Sequence, residues 1–294
     1  MKEFLLSQAV EAVHGIYCGD ADALSKSVRG VVIDNRREEA GFLFVPIKGE
    51  RFDGHSFIPA AYEAGALACI TERKLETKRP YILVEDSLLA FQNLAEFYKG
   101  LFDVKTIGIT GSVGKTTTKE LISSVLSQKY DVLKSEGNLN NQTGVPLTVF
   151  RLEEHHEVAV VEMGTNHFGE IRNLAKIARP DFCFLTNIGE AHIEHLGSKE
   201  GILEAKSEML EYMQKDGRVF VNGDDPYLRT LRDTRTDVTA FGIGAQNDIY
   251  AGEVQSRGLH GTDFVIHTAD VEFPAHVPSP GGHMVHNALA AAAA

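Results

Sequence analysis

Apolar residues form two patterns along the chain. Some stand in short continuous runs rich in β-branched residues, and others recur every three or four positions. In the first hundred residues these patterns predict strands at 28–32, 42–47, 66–71 and 81–85, and helices at 57–64 and 87–98. Residues 99–103 read as a linker. We therefore expect one domain over 1–100 and a second over 104–294.

From residue 104 onward, strand and helix patterns alternate regularly. The predicted strands are 104–109, 131–134, 157–162, 181–187, 217–221 and 237–242, and the predicted helices are 115–128, 144–150, 169–178, 199–215 and 225–232. Such alternation predicts an α/β fold with a mainly parallel sheet and ligands at the carboxyl ends of its strands. Residues 247–278 lack helical spacing and predict a small antiparallel patch.

Composition and charge exclude several classes of protein. The 294 residues are 43% hydrophobic and 24% charged, as in soluble globular proteins. The net charge of −12 argues against a nucleic-acid partner. No apolar run approaches the ~20 residues of a membrane span. Three isolated cysteines fit reduced thiols, so we expect a cytoplasmic protein.

The most informative motif is Gly-Ile-Thr-Gly-Ser-Val-Gly-Lys-Thr-Thr-Thr at 108–118. It stands between a predicted strand and a predicted helix, which is the context of a phosphate-binding loop. Lys115 can reach the β- and γ-phosphates, and the Thr116 hydroxyl can coordinate Mg²⁺. The general pattern has glycine where this chain has Ile109, and the dinucleotide-binding spacing of glycines is absent. The alternative is a glycine-rich turn with an incidental lysine.

Polar residues cluster where three later strands are predicted to end. Glu162 is a candidate Mg²⁺ ligand, or else a solvated strand-end acid. His192 and His195 are candidates for a metal or phosphate contact, although most loop histidines have neither role. Asp225 precedes a proline, which is also the signature of a turn and helix cap. Lys206 is flanked by acids, and its sequence context alone indicates a surface helix.

Several segments together resemble the Mur ligases. Thr-Gly-Ser-Val-Gly-Lys-Thr-Thr at 110–117 resembles that family's phosphate loop, which also lacks the first glycine. The Asn-Ile-Gly-Glu-Ala-His run at 187–192 and Glu-Ala-Lys at 204–206 resemble its second metal site and carbamylated lysine. The runs at 137–147 and 161–171 resemble one branch of the family, and Ile-Asp-Asn-Arg at 33–36 with Phe-Asp-Gly-His at 52–55 resembles its UDP-binding module.

The resemblance implies roles for particular residues. The implied catalytic residues are Lys115, Glu162, His192 and Lys206. The implied ATP contacts are Thr110, Gly111, Ser112, Val113, Gly114, Lys115, Thr116, Thr117 and Asn287. The implied substrate contacts are Asp34, Asn35, Arg36, Asp53, His55, Asn140 and Asn141. The implied Mg²⁺ ligands are Thr116, Glu162, His192 and a CO₂-derived carbamate on Lys206.

The resemblance also implies a reaction. ATP phosphorylates the carboxylate of UDP-N-acetylmuramoyl-tripeptide, and the amine of D-alanyl-D-alanine attacks the acyl phosphate, in peptidoglycan precursor synthesis. Two alternatives stay open. One is another ligase of this type, either the tripeptide-forming sibling or a folylpolyglutamate-synthase-like enzyme. The other is a nucleotide-binding module without ligase activity.

Two positions depart from the family pattern, and the chain stops within a helical pattern. Asn35 stands where serine or threonine is usual, and Met284 replaces the first asparagine of the adenine region, which leaves Asn287. The family has a third, C-terminal domain that closes over the central one. We expect that domain to be absent here, so that residues 1–294 bind ligands without ligating them.

Overall fold

A computed structural model describes residues 1–34, 40–49 and 53–294. The chain divides into two compact units, one of residues 1–102 and 149–154 and the other of residues 103–148 and 155–294. The boundary falls within the predicted linker, and residues 149–154 return to the first unit. The functions assigned to the two predicted domains stay predictions.

The first unit is a small α/β structure. Its described strands are β1 (Phe4–Leu5), β2 (Ile16–Cys18), β3 (Ser27–Val28), β4 (Gly30–Val32), β5 (Phe42–Phe44), β6 (Ala68–Thr71) and β7 (Tyr81–Leu83). Its helices are α1 (Leu6–Ala12), α2 (Ile58–Glu63) and α3 (Ser87–Lys99). In the described part, the sheet order is β2-β7-β6-β5-β4, parallel except for β2. The unit has its own core, in which Phe42 and Phe44 are buried.

The second unit lies entirely within the described residues. Its strands are β8 (Lys105–Thr110), β9 (Val132–Lys134), β10 (Val158–Glu162), β11 (Phe182–Leu185), β12 (Arg218–Asn222), β13 (Val238–Gly242), β14 (Ile249–Ser256), β15 (Thr262–His267) and β16 (Glu272–Val277). Its helices are α4 (Lys115–Leu126), α5 (Gly144–Val149), α6 (Glu170–Ala178), α7 (Ile193–Leu196), α8 (Lys199–Ser207), α9 (Leu231–Thr234) and α10 (His283–Ala293).

All nine strands of this second unit form one sheet, in the order β16-β15-β14-β13-β12-β11-β8-β10-β9. The strands from β8 to β14 are parallel to one another, and β14, β15 and β16 pair antiparallel. The predicted α/β class, the mainly parallel sheet and the antiparallel patch are therefore confirmed. Buried side chains such as Ile109 in β8 and Val160 in β10 explain why the sequence showed continuous apolar runs.

Two predicted helices were wrong in their extent. The helix predicted at 199–215 ends as α8 at Ser207 and continues as a 3₁₀ segment, Glu208–Tyr212. The helix predicted at 225–232 is a 3₁₀ turn, Leu228–Thr230, followed by the single turn of α9. The side chain of Asp225 accepts hydrogen bonds from the N–H groups of residues 227 and 228, so this acid begins a turn rather than a long helix.

The topology brings two loops together beside β8. The connection after β8 leads towards β9 on one side of the sheet, whereas the connection after β11 leads towards β12 on the other. Adjacent strands whose connections diverge leave a crevice at their carboxyl ends, where ligands bind in this class of sheet. That crevice lies between the loop after Thr110 and the loop after Leu185.

Candidate active site

The loop at 111–114 needs both of its glycines. Gly111 has φ +154° and Gly114 has φ +82°, conformations that side-chain-bearing residues rarely adopt. A Cβ atom added to Gly111 would lie 1.9 Å from Oγ1 of Thr186, so the loop passes directly over the neighbouring strand end. Helix α4 then begins at Lys115. The N–H groups of its first turn have no acceptor within the helix and point towards the loop.

Lys115 folds back over this loop. Its ammonium donates a hydrogen bond to the carbonyl of Gly111 at 2.9 Å. Burial lowers the pKa of Lys115, and the charge of Glu162 partly opposes the shift. The lysine is therefore held at the loop, where it can neutralise a bound anion.

Many of the predicted site residues meet in one pocket of about 160 Å³ within the second unit. Its lining consists of Gly111, Ser112, Lys115, Asn140, Asn141, Gln142, Gly164, Thr165, Asn166, Glu170, His192 and Lys206. The lining is rich in amide and hydroxyl groups and contains two lysines. Such a pocket suits an anionic, hydrogen-bonding ligand.

Glu162 is buried, so it is not the solvated strand-end acid that the sequence left open. It is 1% exposed, and its Oε1 accepts a hydrogen bond from the Asn140 amide at 2.7 Å. Its Oε2 has no hydrogen-bond partner among the described residues. That oxygen lies 3.9 Å from the ammonium of Lys119, which compensates the charge without using a lone pair. An ionised carboxylate with free lone pairs fits a divalent cation.

Lys206 is also buried, so the interpretation as a surface lysine is wrong. It is 2% exposed and lines the pocket. Burial, together with the nearby charge of Lys115, lowers its pKa to about 7. A large fraction of the amine is therefore neutral at physiological pH, which is the form that can act as a nucleophile.

The remaining candidate ligands are more open. His192 is an exposed pocket residue with φ +63°, and Thr116 is exposed on the first turn of α4. His195 does not line the pocket; its ring contacts that of His167, with centroids 4.4 Å apart and an angle of 38° between the ring planes. Across the described ranges there is no cluster of three or more His, Cys, Asp or Glu side chains that could hold a metal. A cation here would need oxygen ligands from other groups, such as a hydroxyl, a phosphate or a carbamate.

Asn287 lies against the phosphate loop but is 6% exposed. Its Oδ1 accepts a hydrogen bond from the Thr118 hydroxyl at 3.2 Å, and a Cβ atom on Gly114 would lie 3.2 Å from the same oxygen. This arrangement supports the packing of α10 on α4. Its predicted contact with adenine stays a prediction.

Asp53 and His55, two predicted substrate contacts in the first unit, bind each other. The Asp53 carboxylate accepts hydrogen bonds from the main-chain N–H of His55 at 3.0 Å and from its ring Nδ1 at 2.7 Å. These bonds, with one from Arg73, hold the pKa of Asp53 at about 2. The His55 Nε2 lies 3.2 Å from the N–H of Glu72, so the ring links the turn at Asp53 to the segment after β6.

The other predicted contacts of the first unit are less informative. Asp34 is exposed at the end of the segment that follows β4. Asn35 and Arg36 lie outside the described residues, as does Phe52 of the second run. Their predicted contacts with a UDP-linked substrate stay predictions.

Sequence reasoning missed three residues that organise the pocket. The Asn187 side chain hydrogen-bonds to the main chain of the phosphate loop. Lys119 is fully buried on α4 and donates to the carbonyl of Gly137 at 3.0 Å. Glu208 accepts from the N–H of Gly169 at 2.8 Å and so holds the start of α6. Lys119 had a signal, because it is four positions from Lys115 and so shares its helix face. Asn187 opens the run at 187–192 that the sequence singled out, although no role for it was predicted.

In the described residues, no helix is both long enough and apolar enough to cross a membrane.

Comparison with known proteins gives two family matches that together cover most of the chain. Residues 109–294 match the Mur ligase middle domain, and residues 27–99 match the Mur ligase family, catalytic domain.

Individual relatives agree with these matches. The chain is 44% identical to UDP-N-acetylmuramoyl-tripeptide–D-alanyl-D-alanine ligase of Bacillus subtilis (strain 168), over 91% of this chain and 58% of the relative. It superposes on a crystal structure of MurF from Acinetobacter baumannii with a TM-score of 0.92 and 33% identity, over 100% of this chain and 64% of that one. The MurF ligase from Thermotoga maritima in complex with ADP gives a TM-score of 0.83 and 34% identity, over 90% and 62%.

The chain thus spans about 60% of the length of these relatives. The match to the Mur ligase middle domain, over residues 109–294, includes the phosphate loop and every residue that lines the pocket. On this match and on the relatives' identities, the chain belongs to the Mur ligase family.

Proposed function

We propose that this chain carries the nucleotide- and substrate-binding parts of an ATP-dependent ligase that joins D-alanyl-D-alanine to UDP-N-acetylmuramoyl-tripeptide. The observation that carries the proposal is the pocket that joins the phosphate loop to Lys206 and the Asn140 segment. The relatives that carry this name, such as the Bacillus subtilis enzyme at 44% identity, supply the substrate class.

A carboxylate reacts poorly with an amine until it carries a good leaving group. In the proposed first step, a carboxylate oxygen of the tripeptide bonds to the γ-phosphorus of ATP, and the bond to the β-phosphate oxygen breaks. Such transfers need mainly positioning and charge neutralisation. The Lys115 ammonium and the N–H groups at the start of α4 supply that positive potential.

In the second step, the amine of D-alanyl-D-alanine attacks the acyl carbon, phosphate leaves with the bonding electrons, and the amine loses a proton. Asn140 and Asn141 would bind the UDP-linked substrate. Both line the pocket, and the Asn140 amide donates a hydrogen bond to Glu162. The first unit would bind the UDP moiety through Arg36, Asp34 and the turn that Asp53 begins.

The site fits Mg²⁺, because Glu162 has a buried oxygen without a hydrogen-bond partner among the described residues. Glu162 is not part of the pocket lining, but it accepts a hydrogen bond from the lining residue Asn140. Thr116 would hold one Mg²⁺, and Glu162, His192 and a carbamate on Lys206 would hold a second. When bound, Mg²⁺ supplies charge neutralisation at the transferring phosphoryl group. The neutral Lys206 amine would attack CO₂, forming an N–C bond and releasing one N–H proton to solvent.

The experiment that tests the proposal is an acceptor-amine screen with phosphate release as the readout. A protein extended to the length of its relatives should release phosphate only with ATP, UDP-N-acetylmuramoyl-tripeptide and D-alanyl-D-alanine together. Release with another amine, or with a folate substrate, would favour a sibling ligase. Nucleotide binding without release under any condition would favour a non-catalytic module.

For residues 1–294 alone, we expect binding of ligands and no ligation at the rate of an extended protein. The acyl phosphate must be shielded from water, which in lidded active sites is the task of a closing element. Phosphate release by residues 1–294 that depends on the dipeptide, at a comparable rate, would contradict this expectation. The cytoplasmic location also stays a prediction.

A further inference from the structure

The phosphate loop lacks the first glycine of the general pattern, and the structure shows how the residue at that position is used. Ile109, rather than glycine, lies five positions before Gly114, and it is a fully buried strand residue. The chain therefore enters the loop directly from β8 with a short span, 111–114, before helix α4. A short loop outside the sheet ladder needs further hydrogen bonds to keep one conformation.

The side chain of Asn187 supplies those hydrogen bonds. Its Oδ1 accepts from the N–H of Ser112 at 3.1 Å and from the N–H of Val113 at 2.9 Å. Its Nδ2 donates to the carbonyl of Val113 at 2.9 Å. The adjacent Thr186 hydroxyl donates to the same carbonyl at 2.8 Å. The side-chain amide of Asn187 therefore binds both the N–H and the C=O of one loop residue, Val113.

The fold places Asn187 beside the phosphate loop because it follows the end of β11, a neighbour of β8. Strand β11 pairs with β8 on the side of the sheet where the connections diverge, and it ends at Leu185. The two residues that follow therefore lie beside the loop that follows β8. Gly111 allows this approach because any side chain there would collide with Thr186.

We propose that Asn187 is a positioning residue that holds the phosphate loop in its anion-binding conformation. This inference rests on the proposed nucleotide site and adds a role for a residue beyond those assigned above. Because Asn187 occupies the N–H groups of Ser112 and Val113, the donors left for a phosphate are those of residues 114–117. Those N–H groups have no acceptor within the helix, as is general for a first helical turn.

The first arm of the test needs no ligand. Amide hydrogen exchange is measured in the unliganded chain for the wild type and for Asn187→Ala. We expect exchange at Val113 to rise at least tenfold, because the residue is 65% exposed and Asn187 Oδ1 is its acceptor. The change at Ser112 should be smaller, since its N–H also reaches the main-chain carbonyl of Asn187 at 3.1 Å.

Two further variants test whether the change in exchange comes from the loss of the Asn187 acceptor. Asn222→Ala is the matched control, because Asn222 ends the adjacent strand β12 and its side chain bonds to Asp224 rather than to the loop. Its Val113 exchange should equal that of the wild type. Asn187→Asp keeps an oxygen acceptor and should keep Val113 protected, which would identify the acceptor as the cause.

The second arm measures the binding of ATP with Mg²⁺ and of the UDP-linked substrate by calorimetric titration. Asn187→Ala should weaken ATP binding at least tenfold and change binding of the UDP-linked substrate by less than twofold. Unchanged exchange at Val113 would overturn the proposal. So would ATP binding that is unchanged or tighter, because tighter binding would mean that Asn187 competes with the phosphate. If the wild type binds no nucleotide, the proposed function fails, whereas the exchange arm still decides whether Asn187 holds the loop.

Discussion

The ammonium of Lys119 lies 3.9 Å from the Oε2 carboxylate oxygen of Glu162, and both side chains are buried. Lys119 also pairs with Glu120 at 3.2 Å and donates to the carbonyl of Gly137. It therefore joins the helix of the phosphate loop to the strand end and to the segment that carries Asn140. A buried carboxylate keeps its charge at low cost only while such a partner is present.

Lys119→Met should destabilise the fold strongly, because Glu162 stays buried, loses its ion-pair partner and keeps only the charge of Lys115 nearby. We expect a loss of about 3–5 kcal/mol in the free energy of unfolding, measured by urea denaturation. Lys134→Met is the matched control, since Lys134 pairs with the same Glu120 but is 43% exposed. It should cost no more than about 1 kcal/mol. Equal, small losses for both variants would show that Glu162 does not need Lys119.

Lys206→Met should stabilise the chain at neutral pH in CO₂-free buffer. The pKa of Lys206 falls from its ordinary 10.5 to about 7 on folding, so between these values the unfolded chain holds a proton that the folded chain has lost. That proton loss costs on the order of 4 kcal/mol at pH 7. The wild type regains stability as pH rises towards 10.5, so the advantage of the variant should shrink over this range.

The control for Lys206 is Lys199→Met on the same helix, because Lys199 is 36% exposed. Its unfolding free energy, followed from pH 6 to 10, should show no comparable gain at neutral pH. A stabilisation by Lys206→Met that did not vary with pH would mean that the amine keeps its ordinary pKa in the fold.

Gly111→Ala should disrupt the phosphate loop, since the added Cβ would lie 1.9 Å from the Thr186 hydroxyl at φ +154°. We expect a loss of about 1–3 kcal/mol in thermal or urea unfolding, together with weaker nucleotide binding. Gly282→Ala has open space around its Cβ and φ −60°, and it should change stability by less than about 1 kcal/mol. A fully stable Gly111→Ala that binds ATP would refute the close approach.

Arg36→Ala should raise the KM for the UDP-linked substrate far more than the KM for ATP. A guanidinium can donate two hydrogen bonds to a diphosphate, which a lysine or alanine cannot reproduce. Steady-state kinetics of the extended protein would measure both constants. An equal rise in both would point to general destabilisation of the first unit instead.

Much of the second unit was predictable, because its strands are continuous apolar runs separated by helical spacing. The phosphate loop was predictable too, since Gly111, Gly114 and Lys115 are close together in sequence and their chemistry is local. The sequence did not predict that 208–212 would leave the α-helical path, because the reason is tertiary. Glu208 turns inwards to bind the N–H of Gly169.

The burial of Lys206 was not predicted for the same reason, since it depends on tertiary packing. Its acidic flanks indicated a solvent-facing helix instead. One of those acids, Glu208, is itself buried, so the flanking charges do not mark a surface. Asn187 belonged to a run that the sequence singled out, but its contact with the phosphate loop was not predicted, because its partners there are 74 and 75 positions away. Interactions of this kind depend on the order of strands in the sheet, which local spacing does not specify.

The central claim is that the loop at 111–114 and Lys115 bind the phosphates of ATP. Its most direct test is calorimetric titration of ATP with Mg²⁺ into residues 1–294, for the wild type, Lys115→Ala and the exposed-lysine control Lys129→Ala. We predict saturable binding to the wild type and the control, and at least about a tenfold loss for Lys115→Ala with an unchanged far-ultraviolet circular dichroism spectrum. Equal affinity of Lys115→Ala and the wild type would contradict the assignment of this loop as the ATP site.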